Sequence, residues 1–318
     1  MQKARRAGAG NGAGGVDLKQ MPSSWVLGWS ITRFDTFTSC KRRYFYTYYP
    51  AFDSETPKRR IKDLAKLTTV AMEVGAVTHE VIAATLHRLQ KATTPIDEER
   101  FASYATRVAE EHCQQEAFWE VHYGQESAIS VDALIRAVLD NLAVFRASER
   151  FGWIMDLAAR GNAGGSTGGR ADWIIDPPGY GETRIAGLKA FCKPDFVCQA
   201  DGRVFVFDWK TGKEDGIRHN RQLAAYAHWV AFHFDVPVEK VTPVATYLAP
   251  AFAEYALDGE RDVGASDAFL ESVLAETSAM YEYCRDVDRN RPLSKDAFGM
   301  AEDAGTCRWC NFKELCGR

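Results

Sequence analysis

Two hydrophobic periods divide this chain. From about residue 64 to residue 160, apolar positions recur at three- and four-residue spacing. From residue 171 onward they alternate, or run in short blocks bounded by turn residues. Upstream, "SITRFDTFTSC" opens on a Ser or Thr cap and predicts a short helix ending at Cys40. One helix is expected over about 64–89 and two or three more over 96–160. "ADWIID", "TRIAGLKAFC", "PDFVCQ" and "RVFVFDWK" read as consecutive strands. "IRHNRQLAAYAHWVAFHF" (217–234) predicts a helix, and "VTPVATYLA" (241–249) a strand with "AFAEYAL" as its partner. Residues 265–287 predict a long helix capped by Ser266 or Asp267. The resulting plan is mixed α/β. A central mixed sheet is flanked by helices, with a helical insertion over about 96–170 and a closing segment at 300–318. Residues 25–318 read as one domain, and 1–24 as a disordered Gly/Ala-rich tail. "RGNAGGSTGGR" (160–170) lacks the Lys-Ser/Thr ending of a phosphate-binding loop, so it reads as a flexible connector.

Composition narrows the class. The 318 residues are 46% hydrophobic and 26% charged, ordinary for a globular domain. No apolar run approaches the roughly 20 residues of a membrane span. The N-terminus is basic but has no apolar signal core, so a reducing cytoplasmic compartment is expected. In that setting the clustering among eight cysteines points to metal rather than to disulfides. The net charge of −4 confines any nucleic-acid surface to a local patch. Two basic runs are available, "CKRRYFYTYY" (40–49) and "PKRRIKDLAK" (57–66). The same charge suggests that a partner would supply part of any nucleic-acid affinity.

The candidate chemistry lies in "KPDFVCQADGRVFVFDWK". Side chains alternate faces along a strand, so Asp208 and Lys210 share one face while Phe205, Phe207 and Trp209 share the other. Asp201-Gly202 signals a two-residue hairpin loop. That loop pairs Ala200 with Arg203, Cys198 with Phe205 and Val197 with Val206, and sets Asp195 opposite Asp208. Two facing carboxylates repel, a cost relieved by a shared cation or by protonation of one of them. Oxygen ligands of this kind suit Mg²⁺ or Mn²⁺. Lys210, beside them, is placed to stabilise charge on a phosphate.

Pro194-Asp195 followed by Asp208-Trp209-Lys210 resembles the PD-(D/E)XK nuclease signature. Gly75-x-x-x-His79 upstream and Gln222-x-x-x-Tyr226 on the following helix resemble the RecB-like branch of that superfamily. Cys40 with Cys307, Cys310 and Cys316 resembles the iron–sulfur members of the branch, among them the CRISPR adaptation nuclease and the AddB nuclease domain. The resemblance implies a restriction-endonuclease-like core and His79 as a metal ligand with Asp195 and Asp208. It implies that Gln222 and Tyr226 line the active site, and that the four cysteines hold a [4Fe-4S] cluster. Zinc is the alternative occupant of the cysteines. Such a clamp ties the start of the fold to its end.

The expected activity is metal-dependent hydrolysis of DNA, as an exonuclease on single-stranded or frayed ends. Lys41, Arg42 and Arg43 would grip phosphates. Tyr44, Phe45, Tyr46 and Tyr48 would stack on bases or pack around the cluster. Repair, recombination, CRISPR adaptation and phage or defence processing all fit. The competing reading is a catalytically silent DNA-binding or scaffold subunit.

Overall fold

The computed structural model describes residues 18–21, 24–92, 94–160, 172–264 and 267–318. The expected N-terminal tail (bar residues 18–21 and 24), nearly all of the Gly-rich connector and Ser266 lie outside them. The N-terminal layer holds α1 (Ile31–Ser39), α2 (Lys41–Tyr48) and α3 (Lys58–Leu64). The long α4 (Val70–Lys91) leads into α5 (Glu98–Gln115), α6 (Trp119–His122), α7 (Val131–Ala147) and α8 (Glu149–Arg160). Strands β1 (Ile174–Ile175), β2 (Glu182–Ile185), β3 (Leu188–Phe191), β4 (Phe196–Ala200) and β5 (Arg203–Lys210) follow. Then come α9 (Gly216–Phe234), β6 (Val241–Tyr247), β7 (Ala253–Ala256) and α10 (Ala268–Tyr281). The chain closes with β8 (Cys284–Asp286), β9 (Arg291–Pro292) and α11 (Ala304–Cys307).

The main sheet has five strands in the order β1-β4-β5-β6-β7. Only the β5–β6 pair is parallel, because α9 carries the chain back across the sheet between them. The two faces of β5 explain the layers. Phe205, Phe207 and Trp209 stack in a row and pack under the helices α4, α7 and α8. Phe145 of α7 meets Trp209 edge-on at 5.2 Å, and Trp153 of α8 meets Phe205 at 5.3 Å. The helical segment after α4 is therefore one wall of the core. It contains four helices where two or three were expected. Val204 and Val206, on the opposite face, pack against Leu223, Ala227 and Val230 of α9.

The Asp201-Gly202 turn forms as expected, both residues having positive φ, and the hairpin pairs Ala200–Arg203, Cys198–Phe205 and Val197–Val206. "TRIAGLKAFC", read as one strand, is instead the hairpin β2–β3, separate from the main sheet. Its turn is Ala186-Gly187, with φ of 49° and 74°. An alanine in the left-handed region is uncommon, so this turn carries no Asn-Gly or Asp-Gly signal. The helix expected over 265–287 stops at Tyr281, and the chain enters the β8–β9 hairpin.

Candidate active site

The carboxylate of Asp208 sits on β5, facing α9, with 4% of its surface exposed. Its Oδ1 accepts from Tyr226 Oη at 3.0 Å and from Gln222 Nε2 at 3.3 Å. Its Oδ2 is paired with the Lys210 ammonium and has no well-aligned hydrogen bond among the described residues. Lys210 Nζ also donates to Gln222 Oε1 at 2.7 Å, and Gln222 Nε2 donates to Tyr226 Oη at 2.7 Å. Residues four apart on α9 thus grip both functional groups of the strand. Burial and the nearby Asp195 carboxylate push the Asp208 pKa up, against the pull of Lys210. Burial and Asp208 also push the Tyr226 phenol well up, so it remains a donor.

Asp195 departs from the expected pairing. The regular ladder ends at Phe196–Phe207, and the Asp195 N–H donates to Phe207 O at 3.2 Å. Pro194 has no N–H with which to continue the ladder. Instead the Asp195 side chain enters the backbone pattern, Oδ2 accepting from the Trp209 N–H at 2.8 Å. Its Oδ1 lies 3.2 Å from His79 Nδ1. Burial lowers the His79 pKa, but Asp195 outweighs it and the group is raised to about 9. His79 reaches this point because α4 passes close to the end of β5. A Cβ on Gly75, one turn earlier, would stand 3.1 Å from Thr211 Oγ1. The expected set of Asp195, Asp208, Lys210, Gln222, Tyr226 and His79 is thus linked through adjacent contacts.

The donor chemistry fits a hard cation. An Asp195–His79 pair and the Asp208 carboxylate lie near the end of β5, and the buried Oδ2 of Asp208 has an ammonium against it. As they stand, no three His, Cys, Asp or Glu side chains among the described residues converge closely enough to hold a metal ion.

His219 joins the site although the sequence did not single it out. It lies one turn before Gln222 and is buried. Its Nδ1 accepts from Tyr247 Oη at 2.5 Å and from the Asp215 N–H at 3.3 Å. Burial, then Lys210, push its pKa down, so it is the neutral imidazole. Tyr247 stands beside Lys210 on the parallel strand β6.

Cys40, Cys307, Cys310 and Cys316 lie near enough to feel one another's charge, without closing to a metal-holding group among the described residues. Cys40 ends α1 and caps α2, its Sγ accepting from the Arg43 N–H at 3.4 Å. Cys310 Sγ accepts from the Phe312 N–H at 3.4 Å. Burial raises the thiol pKa of Cys310 and of Cys316, and the other sulfurs of the quartet raise both further. All four are free thiols. Of the other four cysteines, Cys198 is buried in the core.

Two of the three basic residues beside Cys40 are tied to backbone carbonyls, and all three are half-buried. Lys41 Nζ donates to Phe37 O at 2.8 Å over the Phe37 ring, and Arg42 Nε donates to Phe298 O at 2.8 Å. Of the aromatics expected to stack on bases or pack, Tyr44, Phe45 and Tyr46 are buried and pack, with Phe298 and Phe312 around them. Tyr48 is half-buried, and both Tyr46 and Tyr48 line an open cleft.

No curated protein matches the chain closely. The crystal structure of SSO0001 aligns with 70% of this chain and 96% of its own, at 15% identity and a TM-score of 0.29, too low to carry an argument. The family model of the PD-(D/E)XK nuclease superfamily matches residues 28–317. With that match spanning nearly the whole sequence, the chain belongs to the PD-(D/E)XK nuclease superfamily.

Proposed function

We propose that this protein is a metal-dependent DNA exonuclease acting on single-stranded or frayed ends. The observation that carries the reading is the linked set at the end of β5, where Gln222 and Tyr226 fix Asp208 and Lys210 while His79 and the Trp209 amide fix Asp195. Asp195, Asp208 and His79 would hold Mg²⁺ or Mn²⁺, which when bound supplies Lewis-acid stabilisation of phosphate charge and an activated water. Lys210, freed from Asp208 by that cation, would neutralise a phosphate oxygen. Gln222 and Tyr226 act as positioning residues, since their polar atoms are directed at Asp208 and Lys210.

Cys40, Cys307, Cys310 and Cys316 would hold a [4Fe-4S] cluster with a structural role. The two N–H···S bonds at Cys40 and Cys310 suit sulfurs that carry negative charge. An anaerobic preparation is expected to be brown with broad visible absorption, and a colourless protein with one zinc would overturn the assignment. We further propose work alongside a helicase or similar partner, in repair, recombination or CRISPR-type or defence processing.

The test of activity is cutting of end-labelled single- and double-stranded DNA with Mn²⁺, wild type against Asp208→Ala and Lys210→Ala. Products shortening from one end are expected from wild type alone. Wild type inactive on every end type would favour the scaffold reading.

A further inference from the structure

We propose that the cleft bordered by Gln222 and Tyr226 is the track of a single DNA strand, with phosphates on Lys62, Lys66 and Lys193 and a base on Tyr180. This rests on the nuclease reading and gives it a substrate path. The cleft has a volume of about 810 Å³ and lies between the N-terminal layer, the loops around β2–β3 and α9. Four cationic side chains line it and no aspartate or glutamate does. The chain as a whole has 43 acidic and 39 basic residues, so the cleft inverts the overall balance. A polyanion needs such an inversion to approach a protein of net negative charge.

Arg33 is committed to the protein, donating to Tyr44 Oη at 3.2 Å and Gly28 O at 3.3 Å. The three lysines are the available cations. Lys62 comes from the last turn of α3 and Lys66 from the turn just beyond its end, both in the second basic run of the sequence. Lys66 has a loose pair with Asp63 at 3.8 Å, and Lys193 pairs with Asp176 at 2.6 Å. Both aspartates are 58% exposed, so exchanging these pairs for phosphate costs little.

Tyr180 supplies the aromatic platform. It is 60% exposed, with Phe191 supporting it edge-on at 6.4 Å. A tyrosine that exposes most of its surface and is braced by a second ring suits a stacked base. A duplex keeps its base faces inside the stack, so this arrangement rewards unpaired bases. The cleft ends on Gln222 and Tyr226, which hold Asp208, so a strand seated there runs to the carboxylates.

The experiment is fluorescence anisotropy of the full chain, with no divalent metal added, on labelled oligo(dT) and on a duplex of equal length. Oligo(dT) is expected to bind more tightly than the duplex. Lys62→Ala/Lys66→Ala should weaken it at least tenfold and flatten the slope of log K against log salt by roughly 1.4, about 0.7 per lost phosphate contact. Tyr180→Ala should weaken it roughly fivefold or more, and Tyr180→Phe should restore it. Folding of each variant is checked by its thermal midpoint. Unchanged binding by the folded variants, or equal affinity for the duplex, overturns the track. A wild type that cuts DNA while these variants bind normally overturns the track and leaves the nuclease. A wild type that binds through these residues yet cuts nothing overturns the nuclease and leaves the track.

Discussion

Asp208 Oδ1 has two hydrogen-bond donors and Oδ2 has an ammonium, yet burial and Asp195 still push the group toward its protonated form. A carboxylate held at such a cost is a site where stability and function oppose one another. Asp208→Asn removes the repulsion and keeps the shape. We expect a thermal midpoint equal to wild type or a few degrees higher, with cleavage lowered roughly 10³-fold. Mn²⁺ should raise the midpoint of wild type and leave that of the variant unchanged, because a cation held only by the folded site stabilises by mass action. Lys210→Ala should act in the opposite sense on stability, since it leaves the Asp208 charge buried without its partner. The loss should shrink in the Asp208→Asn/Lys210→Ala double variant, a coupling readable from the four unfolding midpoints.

At the scale of elements, α4 is fixed by an ion triad that is buried at His112 and Glu73 and exposed at Glu80. His112 of α5 places Nδ1 2.6 Å from Glu73 Oε2 and Nε2 3.2 Å from Glu80 Oε2. Glu73 and Glu80 lie two turns apart on α4, on either side of Gly75 and His79, so the imidazolium staples the helix that carries the candidate ligand. Hydrogen bonds from these two carboxylates raise the His112 pKa to about 9. A histidine raised on folding contributes fully below its unfolded pKa near 6.5 and loses that contribution as pH rises through 9. Urea unfolding should therefore lose about 2 kcal/mol more between pH 6.5 and 9.5 in wild type than in His112→Gln, the slope left in the variant belonging to His79. Gly75 belongs to the same helix. Gly75→Val pushes a branched side chain against Thr211, so cleavage should fall while far-ultraviolet circular dichroism is unchanged.

Across the whole molecule, the last fifteen residues bind the N-terminal layer through more than their sulfurs. Asn311 Nδ2 donates to Leu67 O at 2.8 Å, Tyr123 Oη to Asn311 O at 2.8 Å, and Glu314 meets Arg60 at 3.1 Å. Phe312 and Cys310 are buried in the same core as Phe45 and Trp119. Cys40→Ser should abolish the colour and lower the thermal midpoint by several degrees. Deletion of residues 304–318 should cost more, because it also removes the aromatic and hydrogen-bonded contacts. Equal losses in a melting experiment would mean that the sulfurs alone hold the two ends together.

Much of this was legible in local sequence because it depends on local chemistry. Asp201-Gly202 accepts the left-handed backbone of a tight turn, and that turn alone fixes the register of β4 against β5. Alternation along β5 separates Phe205, Phe207 and Trp209 from Asp208 and Lys210, and four-residue spacing puts Gln222 and Tyr226 on one face of α9. Where side chains meet across the chain, only the tertiary structure decided. Pro194 interrupts the ladder, so Asp195 meets the Trp209 amide and His79 rather than standing squarely opposite Asp208. Of two similar basic runs, the first turns its lysine and an arginine inward to backbone carbonyls, and the second presents Lys62 and Lys66 to the cleft. Both runs carry the same Lys-Arg-Arg triplet. Which of them faces solvent depends on how α2 and α3 pack against a C-terminal segment some 250 residues away, and long-range packing leaves no period in a local sequence.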